Sequence, residues 1–176
     1  MPAFLCSPFM NRDIKKSMSE ENAKIAVIKI GWDALHRDAI ILAQKLRNKG
    51  PFKGIIAVAR GGLTPAAIVA RELGIHLVDT VCISTYDDRK QRDGEALVLK
   101  PVEGDGTGWL VVDDLVDTGN TFRHLHKMLP NAHYAAVYVK PGAQDTVDTT
   151  VIPIEPDIWL VFPWEDDPPS WQMKRN

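Results

Sequence analysis

Leu110-Val111-Val112-Asp113-Asp114-Leu115-Val116-Asp117-Thr118-Gly119-Asn120-Thr121 is the stretch that decides how this chain is read. A short apolar run closed by turn residues is the pattern of a strand buried on both faces, which predicts a strand over Trp109 to Val112 that ends in two carboxylates. Adjacent acids are costly to bury without partners. In open α/β sheets ligands collect outside the carboxyl ends of the strands, and there two acids can accept hydrogen bonds from sugar hydroxyls or hold a hydrated Mg²⁺. The turn from Asp117 to Thr121 adds backbone N–H groups, the hydroxyls of Thr118 and Thr121 and a helix N-terminus, a set suited to a phosphate dianion. Helix capping by Asp117 or Thr118 accounts for one polar residue and not for the set. A nucleotide hydrolase is excluded because the chain has no GxxxxGK[ST].

Outward from this stretch, strands and helices alternate. Leu35, Ala39, Leu42 and Leu46 make one apolar helical face closed by Gly50-Pro51. Gly54 to Ala59 reads as a buried strand, and the next helix is expected to take Thr64 as its cap with Pro65 in the first turn, ending at Gly74. His76 to Ile83 reads as a strand, Ser84 to Glu95 as a polar loop, and Ala96 to Leu99 as a return to the sheet. Gly104-Asp105-Gly106 turns the chain into the strand at Trp109. Thr121 to Leu129 reads as a helix, and Tyr134 to Val139 and Ile158 to Phe162 as further strands. This alternation predicts an α/β fold, a mostly parallel twisted sheet flanked by helices.

The chain has 176 residues, 45% of them apolar, with 21 basic against 23 acidic residues for a net charge of −2, which fits one globular domain. That balance excludes a duplex nucleic-acid binder driven by a basic face. Two cysteines, Cys6 and Cys82, form no CxxC pair and suggest neither a disulfide framework nor a zinc site. No apolar run approaches the roughly 18 residues of a membrane span, and Met1 to Met10 lacks the basic start of a signal peptide. Residues 1–17 are expected to be a loose leader ahead of Met18, with residues 18–176 as a single domain.

Three further places follow strands. Arg60-Gly61-Gly62 combines a permanent charge with two glycines that let backbone N–H groups approach an anion, although Arg-Gly-Gly before a helix is as often a plain turn. Lys140-Pro141 follows the strand at Tyr134, and Trp159 sits near the tip of the last strand, where core packing competes with ligand stacking. Other features are discounted. Gly104 to Gly108 echoes a dinucleotide fingerprint but precedes its strand, and His124-Leu125-His126 lacks metal-ligand spacing and reads as a solvated helix face.

The Leu110–Thr121 run resembles the 5-phosphoribosyl-1-pyrophosphate motif of the type I phosphoribosyltransferase family. The likeness extends through Lys53 to Val58, Arg60 to Leu63, Ala70 to Ile75, Val78 to Ser84, Glu103 to Gly106, Lys140-Pro141 and Pro163-Trp164, and is similar to the bacterial xanthine-guanine branch of that family from about Met18 to Asp166. The resemblance implies the type I phosphoribosyltransferase fold with a small hood formed by the C-terminal segment, about residues 141–176. It implies a purine-salvage enzyme that transfers the phosphoribosyl group from 5-phosphoribosyl-1-pyrophosphate to N9 of guanine, xanthine or hypoxanthine. Arg60, Gly61 and Gly62 would then form the pyrophosphate loop, with a cis peptide before Arg60. Asp113 and Asp114 would serve the ribose hydroxyls and Mg²⁺, with Asp114 the principal metal residue and Asp113 assisting. Asp117, Thr118, Gly119, Asn120 and Thr121 would hold the 5′-phosphate, with Asp117 also exchanging a proton with the purine. Lys140 would donate to the 6-oxo group, Trp159 stack on the ring, and the Leu160 carbonyl read position 2. Ser84, Thr85 and Tyr86 would open a closing lid.

The resemblance also implies a cytoplasmic homotetramer or dimer and allows peripheral association with the inner membrane. Asn120 stands where the family commonly has glycine, and is expected to tolerate a left-handed backbone. The Thr85–Ala96 loop is longer than the family norm, and Val161 replaces an expected polar residue. The alternatives are a hypoxanthine-preferring transferase and a non-catalytic sensor of the phosphoribosyl donor.

Overall fold

The computed structural model describes residues 26–84 and 97–165. Elements run in the order β1 (Ala26–Lys29), α1 (Trp32–Leu46), β2 (Gly54–Ala59), α2 (Leu63–Leu73), β3 (Val78–Ser84), β4 (Leu97–Lys100), β5 (Trp109–Val116), α3 (Asn120–Met128), β6 (His133–Val139), β7 (Thr149–Pro153) and β8 (Ile158–Val161). A 3₁₀ turn at Gln144–Thr146 precedes β7. Residues 1–17 and the Thr85 to Ala96 loop lie outside the described residues.

The main sheet has six strands in the order β4-β3-β2-β5-β6-β7. All pairs are parallel except β3 with β4. Strand side chains alternate between faces. Ile55, Ala57, Leu110 and Val112 therefore meet Leu35, Leu42 and Val69 of α1 and α2, while Ile56, Val58 and Val111 meet Phe122 and Leu125 of α3. Burial on both faces is what the unbroken apolar runs of β2 and β5 require. Among the described residues no helix is long and apolar enough to cross a membrane.

One polar group is built into the α1 side. Asp38 of α1 is buried and its carboxylate accepts the Tyr138 hydroxyl of β6 at 2.8 Å and Arg37 Nε at 3.2 Å. Burial, then the bond to Asp38, pushes the Tyr138 phenol up from its ordinary value. The pair satisfies a carboxylate that the helical stripe would otherwise have placed in the core alone.

Several sequence expectations need correction. Thr64 does not cap α2, which starts at Leu63 with Gly62 before it. The turn after β2 is already bonded, Gly62 N–H to Val58 O at 2.8 Å and Leu63 N–H to Arg60 O at 3.2 Å, so the helix begins without a side-chain cap. It does end at Gly74, whose φ of 68° closes it. β5 does not stop at Val112 but runs through both acids to Val116. His126 is not on a solvated face: its ring lies 3.8 Å from that of Tyr134 and Nε2 is 3.0 Å from Thr146 O.

The hood boundary expected near residue 141 also shifts. Thr149–Pro153 joins the edge of the main sheet against β6, whereas the small two-stranded sheet pairs β8 with β1 from the other end of the chain. β1 escapes sequence reading because Ala-Val-Ile-Lys is short and exposed along its length, so it carries no alternation.

Candidate active site

The site arises where two strands part. β2 pairs with β5 from Gly54–Trp109 to Ala57–Val112 and no further, while β5 stays paired with β6 as far as Val116–Val139. The last residues of β5 thus have a strand on one side and a crevice on the other. It lies at the switch in strand order, since β3 flanks β2 on one side and β5 on the other.

The chain leaves β2 through a cis peptide at Ala59–Arg60, as the resemblance implied. Two glycines then press against β5. A Cβ on Gly62 would lie 2.3 Å from Val112 O, and a Cβ on Gly61 would lie 2.5 Å from each carboxylate oxygen of Asp114. Only glycine permits this approach. Arg60 is exposed at the mouth of the crevice.

Asp113 and Asp114 are each 9% exposed. Consecutive strand residues face opposite ways, and beyond the crevice that they share each acid lines a second cavity of its own. Both line a crevice of about 790 Å³ together with Arg60, Gly61 and Thr64. Asp113 also lines a cavity of about 230 Å³ formed with Thr118 to Phe122. Asp114 lines another of about 230 Å³ with Lys140, Trp159 and Leu160. Burial, then the charge of Asp114, pushes the Asp113 carboxyl well above the usual carboxylate range. Asp114 is raised too, by burial first and by the more distant Glu165 carboxylate in part. Asp113 Oδ1 accepts the Asp114 N–H at 2.9 Å and Asp114 Oδ1 the Leu115 N–H at 2.7 Å, which fixes both side chains.

A pair of buried acids with raised affinity for protons is also a pair with affinity for a cation. Their all-oxygen chemistry suits a hard divalent ion. Among the described residues no group of three or more His, Cys, Asp or Glu side chains converges. Such an ion would therefore complete its shell with water and ligand oxygens, as Mg²⁺ commonly does.

Asp117 and Lys140 follow β5 and β6, and Lys140 Nζ lies 2.9 Å from Asp117 Oδ1. The lysine side chain is 13% exposed and the aspartate 50%, so the cation is the anchored partner. Trp159 is 55% exposed above the same cavity, while Leu160 is buried beneath it. This settles the sequence ambiguity at Trp159, which is not a core residue.

Gly119 takes a left-handed backbone with φ of 80° and starts α3. Asn120 is already helical, and among the described residues every positive φ belongs to glycine, so the left-handed tolerance expected of Asn120 is not called upon. Asn120 N–H reaches Thr118 Oγ1 at 3.4 Å, and Thr121 lines both the cavity formed with Thr118 to Phe122 and the large crevice. The lid positions Thr85 and Tyr86 lie outside the described residues, and Ser84 ends β3.

Sequence reasoning missed four contributors. Glu165 lines two of the cavities, and its carboxylate accepts the Phe162 N–H at 3.1 Å. Trp32 and Trp164, with ring centroids 6.0 Å apart, wall the large crevice. Arg123 of α3 reaches back to the loop, Nη1 donating to Thr118 O at 2.8 Å. None lies directly after a strand of the main sheet, the one place where a sequence scan for working residues looks.

The family model described as the phosphoribosyl transferase domain matches residues 31–167. The chain is 52% identical over 150 residues to a xanthine-guanine phosphoribosyltransferase of Nitratidesulfovibrio vulgaris (strain DP4), covering 85% of this chain and 91% of that one. It is 54% identical over 138 residues to a protein of the same description from Desulfotalea psychrophila, covering 78% and 86%. Among solved structures, the purine phosphoribosyltransferase from Pyrococcus horikoshii superposes with a TM-score of 0.70 at 29% identity, covering 81% of this chain and 96% of that chain.

Proposed function

Since the chain belongs to the phosphoribosyl transferase domain family, we propose that it is a purine-salvage enzyme forming a nucleoside monophosphate from 5-phosphoribosyl-1-pyrophosphate and a 6-oxopurine. Xanthine and guanine are the preferred bases, and hypoxanthine is accepted. The observation that carries this reading is Lys140, its side chain 13% exposed, paired with Asp117 at the wall of a cavity that Trp159 also lines. A purine held there meets a hydrogen-bond donor where a 6-oxo group needs one, and adenine offers a second donor instead.

In the reaction the C1′–O bond to pyrophosphate breaks, its electron pair leaving with the pyrophosphate, and a bond forms between C1′ and N9. The protein generates no strong nucleophile. It holds the sugar, stabilises the leaving charge and accepts one proton. Arg60 and the Gly61 and Gly62 amides bind the pyrophosphate. Asp113 and Asp114 bind the ribose hydroxyls and hold Mg²⁺, Asp114 foremost. That ion, when bound, supplies charge neutralisation for the leaving group. Thr118, Gly119, Asn120 and Thr121 take the 5′-phosphate at the start of α3. Asp117 withdraws from Lys140 as the base enters and accepts the purine N7 proton. Trp159 stacks on the ring, the Leu160 carbonyl reads position 2, and Ser84, Thr85 and Tyr86 begin the lid.

The chain works as one catalytic domain with its hood strand β8 over the base, and it assembles as a homo-oligomer in the cytoplasm. The exposure of Val27 at 60% and Ile28 at 43% on β1 supports an apolar contact between copies.

The test is pyrophosphate release with Mg²⁺ and the phosphoribosyl donor, with guanine, xanthine, hypoxanthine and adenine supplied separately. Turnover highest with xanthine and guanine and absent with adenine supports the reading. Release with adenine overturns the role of Lys140, a clear preference for hypoxanthine overturns the base ranking, and no release with any base overturns the enzymatic assignment.

A further inference from the structure

Arg123 makes a set of contacts that neither helix packing nor charge balance requires. Its backbone belongs to the first turn of α3, with Arg123 N–H bonded to Gly119 O at 2.8 Å. The side chain then runs back past the helix start. Nη1 donates to Thr118 O at 2.8 Å and to Asn120 Oδ1 at 3.3 Å. Nη2 donates to Gly142 O at 3.2 Å, with Asp145 Oδ1 at 3.7 Å.

The two carbonyls belong to different loops. Thr118 follows Asp117 in the loop after β5. Gly142 lies in the turn after β6 that begins at Lys140 and is closed by Ala143 N–H to Lys140 O at 3.2 Å. The guanidinium also backs the first loop: a Cβ on Gly119 would meet Arg123 Nη1 at 3.2 Å and Thr146 Cγ2 at 3.1 Å. Asn120 and Arg123 act together, because the carboxamide oxygen at position 120 gives the guanidinium a third acceptor within the same fork. The planar fork suits this use, since its donors have fixed relative directions and lose little freedom on bonding.

We propose that Arg123 is a positioning residue that braces the phosphate loop against the loop carrying Lys140, and so sets the distance between the two ends of the bound nucleotide. The inference rests on the reading under Proposed function, in which one loop takes the 5′-phosphate and the other the 6-oxo group. A nucleotide spans both, so the loops must keep one separation for the donor and the base to meet in reacting geometry. Arg123 touches neither reacting atom and acts through Thr118 and Gly142.

The experiment compares wild type with Arg123→Ala and Arg123→Lys, measuring KM for the donor and for guanine, kcat, and amide hydrogen exchange over residues 117–121 and 140–143. With the fork removed, both KM values are expected to rise about fivefold or more and kcat to fall with them, because a loosened loop separation weakens the hold on both ligands and misaligns the reacting atoms. Exchange should quicken in both segments. Lysine keeps the charge but has a single nitrogen, and is expected to leave the guanine KM as high as alanine does. A rise in only one KM, or wild-type behaviour of Arg123→Lys, overturns the brace. If wild type turns over no base, the proposed function fails instead, and exchange alone decides: faster exchange in both segments supports the brace, and in one or neither overturns it.

Discussion

Lys140 Nζ and Asp117 Oδ1 stand 2.9 Å apart because Val139 and Val116 are register partners on β6 and β5, so the residues that follow them emerge side by side. The lysine side chain, 13% exposed, meets a half-exposed acid, and the acid is the partner with more room to move. Asp117→Asn should lower kcat by about 100-fold, the scale of a lost general base, while leaving the donor KM close to wild type. Lys140→Ala should instead raise the KM for guanine by about tenfold, the scale of a hydrogen bond from a charged donor. Steady-state kinetics of both variants check this, and unchanged turnover in Asp117→Asn would end its catalytic role.

Gly61 and Gly62 face different atoms and should fail differently when substituted. In Gly61→Ala the new methyl meets the end of the Asp114 side chain, which can swing aside only by giving up its bond to the Leu115 N–H, so the fold should persist while turnover falls at least about tenfold through displacement of an acid that must be well placed. In Gly62→Ala it meets the Val112 carbonyl of a central strand, so stability should drop by about 2 kcal/mol or more. Urea unfolding and activity, measured on both proteins, separate the two cases.

Asp113 is held well above the ordinary carboxylate range by burial first and by Asp114 second. A raised acid binds its proton more tightly in the folded state, so acidification favours the native protein and deprotonation weakens it as pH rises through the folded value. Asp113→Asn keeps an oxygen for the Asp114 N–H and removes that penalty. In protein free of Mg²⁺ and substrate, its Tm at pH 7.5 should exceed wild type by on the order of a few degrees, and the gap should narrow toward pH 4. A constant gap across that range would show that ionisation is not its cause.

Tyr138→Phe leaves the buried Asp38 carboxylate without its hydroxyl donor at 2.8 Å. Stability should fall by about 1–3 kcal/mol, the cost of leaving one buried acceptor short of a partner. Chemical denaturation of the variant measures this, and Asp38→Asn in the same background should recover part of the loss, because an uncharged amide costs less to bury.

Local patterns carried most of the scaffold. The stripe of Leu35, Ala39, Leu42 and Leu46 has a period that only a helix satisfies, and the unbroken apolar runs at Gly54–Ala59 and Trp109–Val112 are too short for a helix and read as buried strands. β1 and β7 are not legible, because a short strand owes its pairing to its neighbour, β8 near the far end of the chain for β1 and β6 for β7, rather than to its own pattern. The start of α2 is likewise decided by more than one residue's chemistry. Thr64 has the chemistry of a cap, but the bonded turn at Arg60–Leu63 had already started the helix.

At the site, residue types spoke first. Two acids at a strand end and a hydroxyl-rich turn into a helix point to a sugar or an anion by chemistry alone, whereas the Arg-Gly-Gly turn and Lys140 take their roles from the family resemblance. Tertiary structure decided which of these groups meet. The parting of β2 from β5 opened the crevice, the β5–β6 register joined Lys140 to Asp117, and the reach of Arg123 tied their two loops together. A residue's chemistry is a property of its own side chain, whereas a 2.9 Å contact between positions 117 and 140 depends on strand register, which every pair along both strands sets together.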